Sequence, residues 1–139
     1  MKVIYSYLTF NSNCREAMEF YKKCLGGELS FQTIGKSPLC EKMPAQMKKC
    51  IVHSTLSNEN IVLMGSDMVN ENGLVRGNAV SLLLNCISEK EIKEYYKKLS
   101  KDGQQTHPLE DTFWGVVFGG LTDKYGNHWL LNYNKISNT

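Results

Sequence analysis

Long apolar runs are missing from this chain. Nothing approaches the length of a membrane span, and Met1-Lys2-Val3-Ile4-Tyr5 lacks the apolar stretch of a signal peptide. Charge of one sign is missing too: 16 Lys and Arg stand against 14 Asp and Glu, a net charge of +2. The lysines are scattered doublets (Lys22-Lys23, Lys48-Lys49, Lys97-Lys98) with no basic block, which excludes the dense, one-sided footprint of a nucleic-acid binder. Cysteine is sparse and unpatterned. Cys14, Cys24, Cys40, Cys50 and Cys86 make an odd count with no C-x-x-C pair and no zinc-framework spacing, so free thiols in a reducing cytosol fit best. The expectation is a soluble, cytoplasmic protein with neither a membrane nor a nucleic-acid partner. With 139 residues, 42% hydrophobic and 22% charged, one domain with a real core is within reach.

What the chain does have is an internal echo. Glu19-Phe20-Tyr21-Lys22-Lys23 returns as Glu94-Tyr95-Tyr96-Lys97-Lys98, and each copy follows an Asn-Cys pair, Asn13-Cys14 and Asn85-Cys86. A chain that repeats at about half its length points to two copies of one supersecondary unit.

The flanking patterns agree. Val3 to Phe10 is rich in β-branched and aromatic residues and reads as a strand. Asn13 and Glu16 have capping-box spacing, and the helix they open carries Ala17, Phe20, Tyr21, Cys24 and Leu25 as one apolar stripe ended by Gly26-Gly27. Glu28–Ile34, Cys50–Leu56 and Asn60–Met64 read as strands, with a long loop holding Pro38 and Pro44 over 35–49. Ser66 to Gly77 reads as a polar linker containing the turn signal Asn72-Gly73. In the second half, Asn78–Asn85 is a strand, and Ser88 and Glu91 form a second capping box. That helix carries Ile92, Tyr95, Tyr96 and Leu99, and Gly103 closes it. Gln104–Leu109, Phe113–Leu121 and His128–Asn134 are strands, with Asp123-Lys124-Tyr125-Gly126-Asn127 as a turn. The predicted fold is α+β. Two β-α-β-β-β modules (1–65 and 78–135, linker 66–77) form curled mixed or antiparallel sheets around a cleft, with the helices outside.

Paired β-α-β-β-β modules resemble the vicinal oxygen chelate superfamily, which includes glyoxalase I, extradiol dioxygenases, and the fosfomycin and bleomycin resistance proteins. Three motifs carry a closer resemblance to its PhnB-like family: Asn13-Cys14-Arg15-Glu16-Ala17-Met18-Glu19-Phe20-Tyr21, Asp111-Thr112-Phe113-Trp114-Gly115, and Thr122-Asp123-Lys124-Tyr125-Gly126-Asn127-His128-Trp129. The resemblance covers nearly the whole chain and implies a homodimer; because the Lys22 and Lys97 helix faces read as solvated, strand edges or the 66–77 linker are the expected interface. Members are often labelled demethylubiquinone methyltransferase-like. Methyl transfer needs a glycine-rich strand-to-helix turn to hold its cofactor. Here Gly26-Gly27 follows a helix, and Gly119-Gly120 ends a strand with no helix after it.

Metal-dependent superfamily members place His, Glu or Gln ligands on the first and last strands of each module. Counting back from Phe20 by the superfamily's spacing reaches Ser6, and counting on from Asn127 reaches Leu130. Neither is a normal ligand for a divalent metal. No metal and no other cofactor is expected.

His53, between Val52 and Ser54, falls by alternation on the face of Ile51 and Thr55, where it is a general base, a hydrogen-bonded interior histidine or an exposed one. Trp114 shares a strand face with Val116 and Phe118 and, with Trp129, either walls a flat ligand or packs a core or dimer interface. His128 faces the same way as Leu130 and is the second candidate base. Glu110-Asp111 reads as a charged hairpin tip and His107, beside Pro108, as loop. Cys14, Cys24 and Cys86 read as small buried hydrophobes, Cys40 as the exposed thiol, and Met43–Met47 as a flap.

The expected ligand-binding set is therefore Ser6, His53, Trp114, Phe118 and Trp129, with His53 and His128 as weak catalytic candidates. The expected function is metal-independent binding of a small apolar or aromatic molecule. The alternatives are a metal-dependent glyoxalase-type isomerase, lyase or dioxygenase, and a metal-free enzyme using His53 or His128 as base.

Overall fold

A computed structural model describes residues 2–33, 50–69 and 72–136. The expected loop over 35–49, with Cys40 and the Met43–Met47 flap, lies outside them. The chain divides into two compact units, Met1–Val75 and Arg76–Thr139. Unit 1 runs β1 (Ser6–Thr9), α1 (Cys14–Leu25), β2 (Glu28–Thr33), β3 (Ile51–Asn58) and β4 (Ile61–Ser66). Unit 2 runs β5 (Leu82–Cys86), α2 (Glu89–Leu99), β6 (Gln104–Asp111), β7 (Val116–Thr122) and β8 (His128–Asn134). Each is the β-α-β-β-β module that the repeat predicts. The strand orders are β1-β4-β3-β2 and β5-β8-β7-β6; the first strand pairs parallel with the last and the other pairs are antiparallel, so both sheets are mixed.

In each unit the helix covers one sheet face. Under α1 lie Leu56, Leu63 and Ser54, and Gly65 backs directly onto Met18 and Phe10. Under α2 lie Leu84, Val117, Leu121, Trp129 and Leu131. The helix stripes differ from expectation at one equivalent position. Phe20 and Tyr95, the first aromatic of each doublet, sit half-buried at the margin, while Tyr21 and Tyr96 go into the core. Tyr96 spends its hydroxyl on the sheet, donating to the carbonyls of His107 (2.8 Å) and Gly120 (3.1 Å). Gly119 makes that approach possible, because a Cβ there would stand 3.2 Å from the Tyr96 ring and 2.7 Å from Leu109.

Two details of the repeat are corrected. The Asn-Cys pairs are not equivalent: Cys14 opens α1 while Cys86 ends β5. The equivalent cap positions are Asn13 and Ser88. The second helix also stops earlier than Gly103, at Leu99, where Ser100 caps it through a backbone bond to Tyr96.

Candidate functional site

The face of each sheet turned away from its helix carries the half-exposed side chains. In unit 1 the register decides which residues these are. Phe31 pairs with Ser54 and Gln32 with His53, but Thr33 pairs with Ile51, so Val52 is an extra residue in β3. This bulge resets the alternation. Ile51, Ser54 and Leu56 all face α1, whereas His53 and Thr55 face away, so the expectation that His53 shares a face with Ile51 is wrong. The His53 ring packs 6.0 Å from that of Tyr7, and its Nε2 lies 3.2 Å from the Thr55 hydroxyl. Ser6 pairs with Leu63, a residue buried under α1, and so stands on the helix side; the β1 residues sharing the face of His53 are Tyr7 and Thr9. A concavity of about 390 Å³ opens between Thr9 and residues 68–69 and 72–75, and its described walls carry no charged side chain.

In unit 2 the register lays out two adjacent rows on the open face. Leu83, Leu130, Gly120 and His107 form one across β5, β8, β7 and β6; Asn85, Asn132, Phe118 and Glu110 form the other. His107 is therefore a strand residue, not loop. Its ring meets Phe118 edge-on at 5.7 Å, and its Nε2 stands 3.9 Å from Glu110. Pro108 is accommodated because β6 is an edge strand with irregular register, where a ladder N–H is dispensable. Asn132 donates from Nδ2 to Asn85 Oδ1 at 2.9 Å. Asp111, expected at a hairpin tip, ends β6 and pairs with Lys135.

His128 faces the same way as Leu130, but both its nitrogens are engaged. Nε2 lies 2.9 Å from the Gly77 carbonyl, which only accepts, so Nε2 carries the proton and Nδ1 accepts from the Thr122 hydroxyl at 2.8 Å. A base whose lone pair is already taken is poorly placed to accept a substrate proton.

Both tryptophans lie elsewhere than on that face. Trp114 is in the β6–β7 turn, outside the strand, 59% exposed and edge-on to Phe113 at 4.8 Å. Trp129 is 3% exposed beneath α2, its indole N–H donating to Asp123 at 2.8 Å. Two thiols are inert by environment: burial pushes Cys14 up to about 11 and Cys86 up to about 12, so neither is a thiolate nucleophile near neutrality. Among the described residues no group of three or more His, Cys, Asp and Glu clusters as a metal site.

The sequence alone does not single out Asn85, Asn132 or Tyr7, and it places His107 in a loop. Counting in steps of two from Leu130 reaches Asn132, and the parallel pairing of β5 with β8 then brings Asn85 beside it. The periodicity was available; the pairing was not.

Residues 2–132 match the model of the family described as 3-demethylubiquinone-9 3-methyltransferase. Protein YjdN of Escherichia coli (strain K12) is 29% identical to this chain over 139 residues, covering 93% of each. Among solved structures, protein PA1353 from Pseudomonas aeruginosa is 35% identical with a TM-score of 0.81, over 96% of this chain and 98% of that one. A PhnB protein from Bacillus cereus is 29% identical with a TM-score of 0.71, over 95% and 99%. A glyoxalase-related enzyme from Fulvimarina pelagi shares the fold at 16% identity, with a TM-score of 0.64 over 96% and 89%.

Proposed function

We propose a binding function for this protein, and the premise is membership: the chain belongs to the PhnB-like family described as 3-demethylubiquinone-9 3-methyltransferase, and it has the glyoxalase fold. On our reading it binds a small apolar or aromatic molecule without a metal. The observation that carries this is the pair of rows in unit 2, where Leu83, Leu130 and Phe118 offer apolar and aromatic surface beside the uncharged amides of Asn85 and Asn132. Ligand sites combine mostly apolar lining with a few placed polar groups in this way.

The metal that the fold family implies does not fit the donors present. Leu130 stands where the superfamily's last carboxylate is counted, Ser6 lies on the helix side of its sheet, and His128 has both nitrogens engaged. We therefore rank a metal-dependent glyoxalase-type activity below binding and derive no step through a metal. The family's methyltransferase description finds equally little support. Neither strand-to-helix turn, Phe10–Asn13 or Ile87-Ser88, contains glycine, so neither backbone offers the close approach a methyl-donor cofactor needs.

A metal-free reaction with His53 as base is the second reading, favoured by one observation: His53 is half-buried on the open face of unit 1, beside the Tyr7 ring. Free thiols at Cys14, Cys24, Cys50 and Cys86 support a cytoplasmic location, and we propose that the protein forms a homodimer.

Thermal-shift measurements test the main reading. Toluene and other single-ring aromatics are expected to raise the melting temperature, while Zn, Ni, Mn and Fe salts leave it unchanged. Stabilisation by a metal alone, with stoichiometric metal in protein purified without chelator, would overturn it. Turnover that is lost in His53→Ala would move the choice to the second reading.

A further inference from the structure

The face of unit 2 holds a feature that binding an apolar ring does not require. Two asparagines sit side by side one pair from the end of a parallel strand ladder, Asn85 on β5 and Asn132 on β8. Asparagine is among the poorer strand formers, and a β-branched or aromatic pair there would stabilise the sheet more. One hydrogen bond of 2.9 Å joins the two, from Asn132 Nδ2 to Asn85 Oδ1. An amide pair has four N–H hydrogens and two carbonyl oxygens. That single bond leaves the Asn85 NH2 as donor and the Asn132 carbonyl as acceptor, both on the half-exposed face. The same rows supply Leu83, 60% exposed, Leu130 and the Phe118 ring.

We infer that this face recognises a planar ring bearing a neutral amide edge, with the Asn85–Asn132 pair reading the amide and Leu83, Leu130 and Phe118 taking the ring. The proposal rests on the binding function above and names its ligand class. A donor and an acceptor presented together match a partner that presents an acceptor and a donor together, which is what a carboxamide or lactam edge does. A carboxylate offers two acceptors, one of which would meet the Asn132 oxygen, and Glu110 ends the same row with a like charge. A plain hydrocarbon desolvates the Asn85 NH2 and the Asn132 carbonyl without pairing them, and unpaired polar groups are what make such sites discriminate.

Isothermal titration of the full chain with benzamide, toluene and benzoate tests this, alongside Asn132→Leu and Asn85→Leu/Asn132→Leu variants. Both replacements suit a strand better than asparagine, and a retained melting temperature verifies folding. The wild type is expected to bind benzamide about tenfold or more tighter than toluene, a preference of about 1.4 kcal/mol, and to bind benzoate weakest. The double variant is expected to lose the preference while still binding toluene. Equal binding of benzamide and toluene by the wild type, or a preference that survives the double substitution, overturns the amide inference and leaves ring binding standing. If neither benzamide nor toluene binds, both readings fall.

Discussion

Asp123 shows how much one side chain can organise. It is 3% exposed, and its two oxygens are fully used. Oδ1 accepts the backbone N–H groups of Tyr125 (2.9 Å) and Asn127 (3.1 Å), and Oδ2 accepts the Trp129 indole N–H (2.8 Å). The turn around it closes through Asp123 N–H to the Asn127 carbonyl, and Gly126 takes the left-handed conformation, φ +90°, that the turn requires. Thr122 to Trp129, one of the three motifs that carry the family resemblance, is thus largely a device for turning β7 into β8 and seating Trp129 under α2. Each buried donor left without an acceptor costs about 1–3 kcal/mol. Asp123→Ala strands three, so it is expected to lower unfolding stability in urea by about 3 kcal/mol or more and to red-shift the tryptophan emission. A loss below about 1 kcal/mol would show that water replaces the carboxylate and that the motif's value lies elsewhere.

The two helix starts have the same spacing in sequence and different physics. At α2 the cap is made: Ser88 Oγ accepts the Glu91 N–H at 3.0 Å, and Glu91 reaches back one residue past the cap, to the Ile87 N–H at 3.1 Å. At α1 the Asn13 side chain makes no cap bond. Asp67, beyond the end of β4, caps the helix instead through the Cys14 N–H at 2.9 Å, while its other oxygen takes the Ile51 N–H at 2.9 Å. Ser88→Ala is therefore expected to cost about 1 kcal/mol and Asn13→Ala only a few tenths, with Asp67→Ala costing about 2 kcal/mol or more because two N–H groups lose their acceptor. Denaturant titration of the three variants checks the order, and an Asn13→Ala loss matching that of Ser88→Ala would refute the remote cap. The same contrast separates what was legible in the sequence from what was not. Element order, both helices and most of each core stripe follow from local periodicity, although Met18 takes a core place outside the expected stripe. The remote cap does not, nor does the bulge at Val52 that turns His53 away from Ile51, because each depends on which strand lies alongside. Trp114 was misplaced for a related reason: an aromatic run into a strand reads as strand, while the Thr112 hydroxyl donates to the Val116 carbonyl at 2.6 Å and holds a turn there.

At the scale of the whole molecule, the chain is one module written twice, and its surface raises the question of self-association. The hairpin tip of unit 2 is the clearest case. Phe113 is 96% exposed, with Trp114 set against it. The turn beneath them is held by the Thr112 N–H to Val116 carbonyl bond (2.8 Å), the Lys135 N–H to Gly115 carbonyl bond (2.8 Å) and the Asp111–Lys135 ion pair. A rigid tip cannot fold its aromatics back into the unit, so water covers them unless another surface does. Exposed aromatic clusters of this kind mark interaction surfaces. A two-fold axis lets one tip meet its own copy, so we propose the tip as part of the homodimer interface, beside the strand edges or the 66–77 linker first expected to form it. Light scattering on the eluting protein at micromolar concentration is expected to give twice the chain mass. Phe113→Ser/Trp114→Ser is expected to give the single-chain mass with an unchanged circular dichroism spectrum, since neither side chain supports the core. A wild-type monomer would remove the dimer proposal, and a variant that stays dimeric would move the interface away from the tip, back toward the edge strands.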